Sequence, residues 1–136
     1  MEIIYPMFAL VLLTFTVGLS LGASRFISVT KRQVNPDYYK LLSGHTPPEY
    51  VAKLGRNFSN LLEVPILFYV VGILVVTLDV NSSLIINLAW LFVGVRLVHS
   101  IIHVTYNHPV HRFFAFLTSS LIVLAMWIEL MLLISK

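Results

Sequence analysis

Gly55–Val76, GRNFSNLLEVPILFYVVGILVV, and Trp90–Asn107, WLFVGVRLVHSIIHVTYN, are the two stretches that decide how this chain must be read. Both are largely apolar, yet each carries a polar stripe. The first holds Arg56, Asn60 and Glu63; the second holds Arg96, His99, His103 and Tyr106. Spacings of three and four put each set on one face of a helix. Ionisable side chains at bilayer depth are costly and persist where they face a bundle interior, a partner subunit or a polar cavity. Function is therefore to be sought at these stripes, with the rest of the chain presenting them to each other.

Composition agrees with a membrane setting. Of 136 residues, 58% are hydrophobic and 11% charged, against about 25% charged in soluble domains. Length allows a single domain over 1–136. Cysteine is absent, which excludes a disulfide framework, a thiolate metal site and a cysteine nucleophile. Thiol chemistry would need a thiol brought by a substrate or cofactor.

A span needs roughly 20 apolar residues, and four stretches supply them: Ile3–Ile27, Arg56–Leu78, Leu84–Tyr106 and Val110–Ile134. The opening MEIIYPMFALVLLTF lacks a basic n-region and is expected to be a retained span rather than a signal peptide. Gly18, Ser20, Gly22, Ala23 and Ser24 make a small-residue region suited to close helix packing. The region from Ser28 to Gly55 is expected to be the one long polar loop, with Tyr38, Tyr39, Leu41 and Leu42 at the membrane surface. Pro65 is expected to bend the second span, and Asn107-His108-Pro109 to make a tight turn.

The loops also set orientation. Arg25, Lys31, Arg32, Lys40, Lys53 and Arg56 belong to the first loop and its margins, and Arg112 to the third; the middle connection, with Asp79, has no Lys or Arg. The C-terminus has only Lys136. Basic loops stay cytoplasmic, so both termini and the Asp79 connection should lie outside. Glu2 and Glu129 then sit near the outer interface, where they are expected to be solvated.

The residues alone leave the stripes two readings each. Arg56, Asn60 and Glu63 suit an interhelical ion pair that stabilises an oligomer, or a half-site in which arginine grips a carboxylate and glutamate an ammonium. His99 and His103 have a spacing usable by a metal, with Glu63 as a conceivable third ligand, but two imidazoles are an incomplete set. Interhelical hydrogen bonding or ligand contact is preferred, and no metal is expected. No nucleophile elbow, phosphate loop or redox dithiol is present.

The run Pro47–Tyr69, PPEYVAKLGRNFSNLLEVPILFY, resembles the second-helix signature of the MAPEG family, the membrane-associated proteins of eicosanoid and glutathione metabolism. Pro47, Pro48, Glu49, Arg56, Asn60, Glu63 and Pro65 match in order, and RLVHSIIHVTYNHPVHRFFAF is similar to the third-helix region of bacterial members. The resemblance implies an all-α, integral membrane four-helix bundle, assembled as a homotrimer with glutathione as co-substrate between subunits near the cytoplasmic face. It further implies that Arg56, Asn60 and Glu63 bind glutathione, and Arg96 and Tyr106 of the second stripe are expected to join them. Arg25, Lys31 or Arg32 would add a basic contact. Eicosanoid-type members carry tyrosines where His99 and His103 fall, and a thiol-activating arginine near the place of Arg112. Arg112, His103 and His99 are thus the expected catalytic residues, with Arg96 as the rival activating cation.

The expected function is a glutathione-dependent transferase or peroxidase acting on lipophilic electrophiles. The alternative is a non-enzymatic ligand-binding or scaffold protein using the same pocket. Expected partners are the bilayer, a lipophilic small molecule and further copies of the chain, with no nucleic acid.

Overall fold

A computed structural model describes residues 2–44 and 46–135; Met1, His45 and Lys136 lie outside the described residues. It contains six helices: α1 (Ile4–Thr30), α2 (Tyr38–Leu41), α3 (Glu49–Leu61), α4 (Val64–Thr77), α5 (Ser83–Val104) and α6 (Pro109–Ile134). Helices α3 and α4 are two halves of one span, so four helical segments are long and apolar enough to cross a membrane. No strand occurs among the described residues. The protein is an all-α bundle of the kind that satisfies its backbone hydrogen bonds within each membrane segment.

Helix ends follow local chemistry. Arg32, Asp79 and Asn107 take positive φ values of 54°, 51° and 53° just beyond α1, α4 and α5. The following or same residue closes each end: Gln33 N donates to Ser28 O, Val80 N to Val75 O and Asn107 N to Ile102 O. Ser82 caps α5 by accepting from Ile85 N at 3.3 Å, and Pro109 opens α6 where its missing N–H costs nothing.

The polar loop is shorter than the composition implies. Helix α1 runs on to Thr30 and α3 begins at Glu49, so Glu49 to Gly55 is helix rather than loop. This segment is amphipathic, and its polar residues support it: Lys53 lies 2.8 Å from Glu49, one turn away. In the remaining loop, Tyr39 turns inward, its hydroxyl 2.7 Å from Ser28 Oγ and its ring 5.5 Å beneath the Arg25 guanidinium. Leu41 and Leu42 face outward.

The expected bend is a break. Pro65 is buried and has no N–H for the Leu61 carbonyl, and α3 stops at Leu61 while α4 starts at Val64. Glu63 occupies the break with φ −92° and ψ −94°. Trp127 Nε1 of α6 donates to Leu67 O in the first turns of α4 at 3.3 Å.

Helix α1 packs on α3 and α5, and α6 on α5 and α4. The core runs through Leu10 and Val17, Phe68 and Val71, Ile85 and Phe92, and Met126 and Leu130. Phe68 and Phe92 stack with centroids 4.6 Å apart. In lipid, such packing and not water exclusion holds helices together. The small-residue region serves it in part: a β-carbon on Gly18 would stand 3.0 Å from the Phe58 ring, and Ser24 and Ser28 are buried, whereas Gly22 meets nothing. Phe8, Phe15, Leu19 and Phe26 of α1 are left on its outer face, which suits contact with acyl chains.

Candidate functional site

The break between α3 and α4 brings the first polar stripe against the second. Asn60 and Glu63 join His99 and His103 of α5, and Pro109, Arg112, Phe113 and Phe116 of α6, around an open groove of about 310 Å³. The lining combines polar groups (a carboxylate, an amide, two imidazoles and a guanidinium) with proline and two phenylalanines.

Each polar member is held differently. Asn60 Nδ2 donates to the Arg56 carbonyl at 2.8 Å, which fixes the amide one turn along α3. Glu63 is exposed and makes no ion pair within 4 Å among the described residues. Arg112 Nη1 donates to Asn107 Oδ1 at 3.0 Å, so the left-handed turn residue that ends α5 also anchors the arginine that opens α6. Arg112 Nε is buried without a protein partner. The imidazoles of His99 and His103 meet edge to face at 4.8 Å, and His99 lies 6.4 Å from Phe116.

Three of the expected site residues do not line the groove. Arg96 is enclosed beneath it, 0% exposed, where Nη1 donates to Asn60 O at 3.3 Å and the guanidinium lies 5.5 and 5.6 Å from the Phe92 and Phe116 rings. It clamps α5 to α3 from below, and the Glu63 charge acts on it from a distance. Arg56 is exposed and lines no part of the groove. Tyr106 is exposed, its hydroxyl 3.1 Å from His111 Nδ1. Among the described residues no set of three His, Asp or Glu side chains is placed to hold a metal ion.

The aromatic members escaped the sequence reading. Phe116 follows Arg112 by four residues, a spacing that puts it on the same face of α6 and signals it; Phe113, the next residue, does not share that face. Buried Asn57 and Ser100 share the stripe faces of α3 and α5 and were passed over because each stands between residues that looked more reactive. A second cavity of about 300 Å³ opens at the other end of the bundle between Glu2, Asp79 and Ser82. It has no basic or imidazole group among its lining residues. Near it, Ser82 Oγ donates to Glu129 Oε1 at 3.3 Å, so Glu129 is half-buried and bonded rather than free in solvent.

Comparison with known proteins gives one match. The family model described as MAPEG family matches residues 3–132 of the chain. No curated protein and no solved structure matches it.

Proposed function

The chain belongs to the MAPEG family, and on that premise we propose that it is a glutathione-dependent membrane transferase or peroxidase acting on lipophilic electrophiles. The observation that carries the proposal is the groove itself. Residues as far apart in sequence as Asn60 and Arg112 meet there, with charged and hydrogen-bonding groups beside an aromatic wall. A zwitterionic peptide thiol needs the first kind of surface, and an apolar acceptor the second.

The roles follow from chemistry. Glu63 receives the ammonium and Asn60 contributes a hydrogen bond; Arg56 and Tyr106, outside the groove of a single protomer, meet the ligand only where a neighbouring subunit extends the site, Arg56 there gripping a carboxylate. Arg96, from below, holds the Asn60 carbonyl and adds positive potential. Arg112 faces the sulfur and favours its anion, with His99 and His103 as hydrogen-bond donors to it. In transfer, the thiolate sulfur attacks the electrophilic carbon, a C–S bond forms, and the leaving group departs with its electron pair. The substitution of histidines for the tyrosines of eicosanoid-type members favours a second reading, in which the groove binds glutathione without turnover.

The groove is open in a single protomer, and an exposed carboxylate facing lipid would be costly. A neighbouring protomer closes it in a homotrimer, so that glutathione sits at each boundary. Native mass spectrometry from mild detergent tests both parts together. The expected spectrum is a trimer carrying up to three glutathiones. A persistent monomer or dimer sinks the assembly, and a trimer that never retains glutathione sinks the ligand.

The groove lies toward the basic loops, and the positive-inside rule supports a cytoplasmic groove with both termini outside. A cysteine-free chain makes this testable with single cysteines at the exposed positions Lys40 and Asn81. On intact bacterial cells an impermeant thiol reagent is expected to label position 81 and spare position 40; the reverse pattern would invert the topology.

A further inference from the structure

Polar atoms that no protein group satisfies are concentrated in the seam between α3 and α5. Asn57 is 0% exposed, and neither Oδ1 nor Nδ2 has a partner; Ser100 is 4% exposed with its Oγ unpartnered. His103 is 0% exposed with both ring nitrogens unpartnered. Burying an amide or hydroxyl without a hydrogen bond costs about 1–3 kcal/mol, so such groups are rarely left orphaned.

Helix register brings the three together. The seam is tied at one end by Lys53 Nζ donating to Thr105 O at 3.0 Å, and at the other by Arg96 Nη1 donating to Asn60 O at 3.3 Å. Lys53, Asn57 and Asn60 are spaced by four and three on α3; Arg96, Ser100 and His103 are spaced by four and three on α5. Each trio lies on one helix face. Because the two helices run antiparallel, Asn57 falls between the ties, level with Ser100 and within a turn of His103.

We propose that this seam is a binding site for internal water, and that Asn57 and Ser100 thereby act as positioning residues for His103. The guest must be small and able both to donate and to accept, since the orphans include an amide oxygen, an amide nitrogen, a hydroxyl, two imidazole nitrogens and the Nε and Nη2 donors of Arg96. A cation is disfavoured by the buried Arg96 guanidinium that ties one end of the seam. An anion would pair with the donors but leave Asn57 Oδ1 and one nitrogen of a neutral His103, which need a donor, unpaired. Water fits: buried waters make about three hydrogen bonds each to groups of this kind. The bridge sets which nitrogen of His103 carries the proton, and the His99 ring packed edge to face at 4.8 Å limits its rotation. His103 also lines the groove, so the choice of tautomer is transmitted to whatever binds there. Its catalytic consequence rests on the glutathione reading; the water site does not.

The sign of a stability change tests the site. Asn57→Leu replaces the amide with an apolar group of similar size. An amide that bonds to nothing would be better replaced, and the melting temperature would rise or hold. A water-bonded amide would be missed, and the melting temperature is expected to fall by several degrees. The second measurement is ¹⁵N NMR of histidine-labelled protein, with the His103 ring signals identified by their loss in His103→Gln. Asn57→Leu and Ser100→Ala are each expected to move the His103 nitrogen shifts toward a different tautomer ratio; Ser100→Ala decides alone if Asn57→Leu does not fold. An unchanged or raised melting temperature in Asn57→Leu, or unaltered His103 nitrogens in the variants that fold, overturns the proposal. Glutathione retention, measured separately by mass, can fail while these signals respond, and that outcome would refute only the ligand assignment.

Discussion

Arg112→Ala is expected to leave the trimer and its glutathione in place while removing most of the thiolate and, with it, conjugation. Free thiols ionise near pH 8.5, so at neutral pH only a few per cent of an unassisted ligand would be anionic. An opposite charge within about 4–6 Å lowers such a pKa by roughly 1–3 units, and because the unassisted fraction is already a few per cent, its loss should cut the thiolate fraction by roughly ten- to thirtyfold near neutrality. The structure supplies a physical basis for choosing Arg112 over Arg96. Arg112 lines the groove and is steadied by Asn107 Oδ1 at 3.0 Å, whereas Arg96 is fully enclosed and spends a donor on Asn60 O. Arg112 also stands in the first turn of α6, where the helix dipole favours an anion. The measurement is ultraviolet absorbance of the thiolate together with conjugation of a simple aromatic electrophile, in wild type and variant. Normal thiolate in Arg112→Ala would clear the residue of the role. If wild type forms no thiolate at any accessible pH, the non-enzymatic binding reading stands instead.

How far the sequence could be read depended on the kind of pattern involved. Four apolar stretches separated by turn residues left little freedom, because lipid admits only segments that satisfy their own backbone. The boundary at Glu49 was not visible to hydropathy, since an amphipathic helix start carries Glu49 and Lys53 like any loop. Pro65 announced a disturbance of the second span, but placing the break at Glu63 required knowing which carbonyl loses its donor. At the site, spacing assigned Asn60 and Glu63 to one face and His99 and His103 to another. It gave no means of knowing that those faces meet, or that Arg112 and Phe116 close the groove from α6. Arg56 and Tyr106 lie on similar spacings and yet fall outside the lining. Helical phase fixes direction around an axis, while the break and the packing of α5 on α6 fix what lies opposite.

Glu63→Gln is expected to lower affinity for glutathione by roughly tens- to thousands-fold, the range seen when one partner of a desolvated charged pair is removed, with Arg56→Ala in the same range. The substitution keeps size and shape and takes away only charge. Within a protomer it should do little harm, because Glu63 has no ion pair within 4 Å among the described residues and stands in a backbone break, outside any regular helix. That position matters to the argument. A carboxylate on an intact helix would be tied to one face, whereas Glu63 sits in the break, is exposed, and lines the groove with Asn60 and Arg112. Leaving such a charge toward lipid is costly, so something beyond the protomer must compensate it: a ligand ammonium or a basic group of a neighbouring subunit. Titration with glutathione, followed by calorimetry, and native mass spectrometry of the same sample separate the two. Weaker binding by an intact trimer assigns Glu63 to the ligand. A trimer that falls apart assigns it to the subunit boundary, and unchanged affinity in an intact trimer removes it from both.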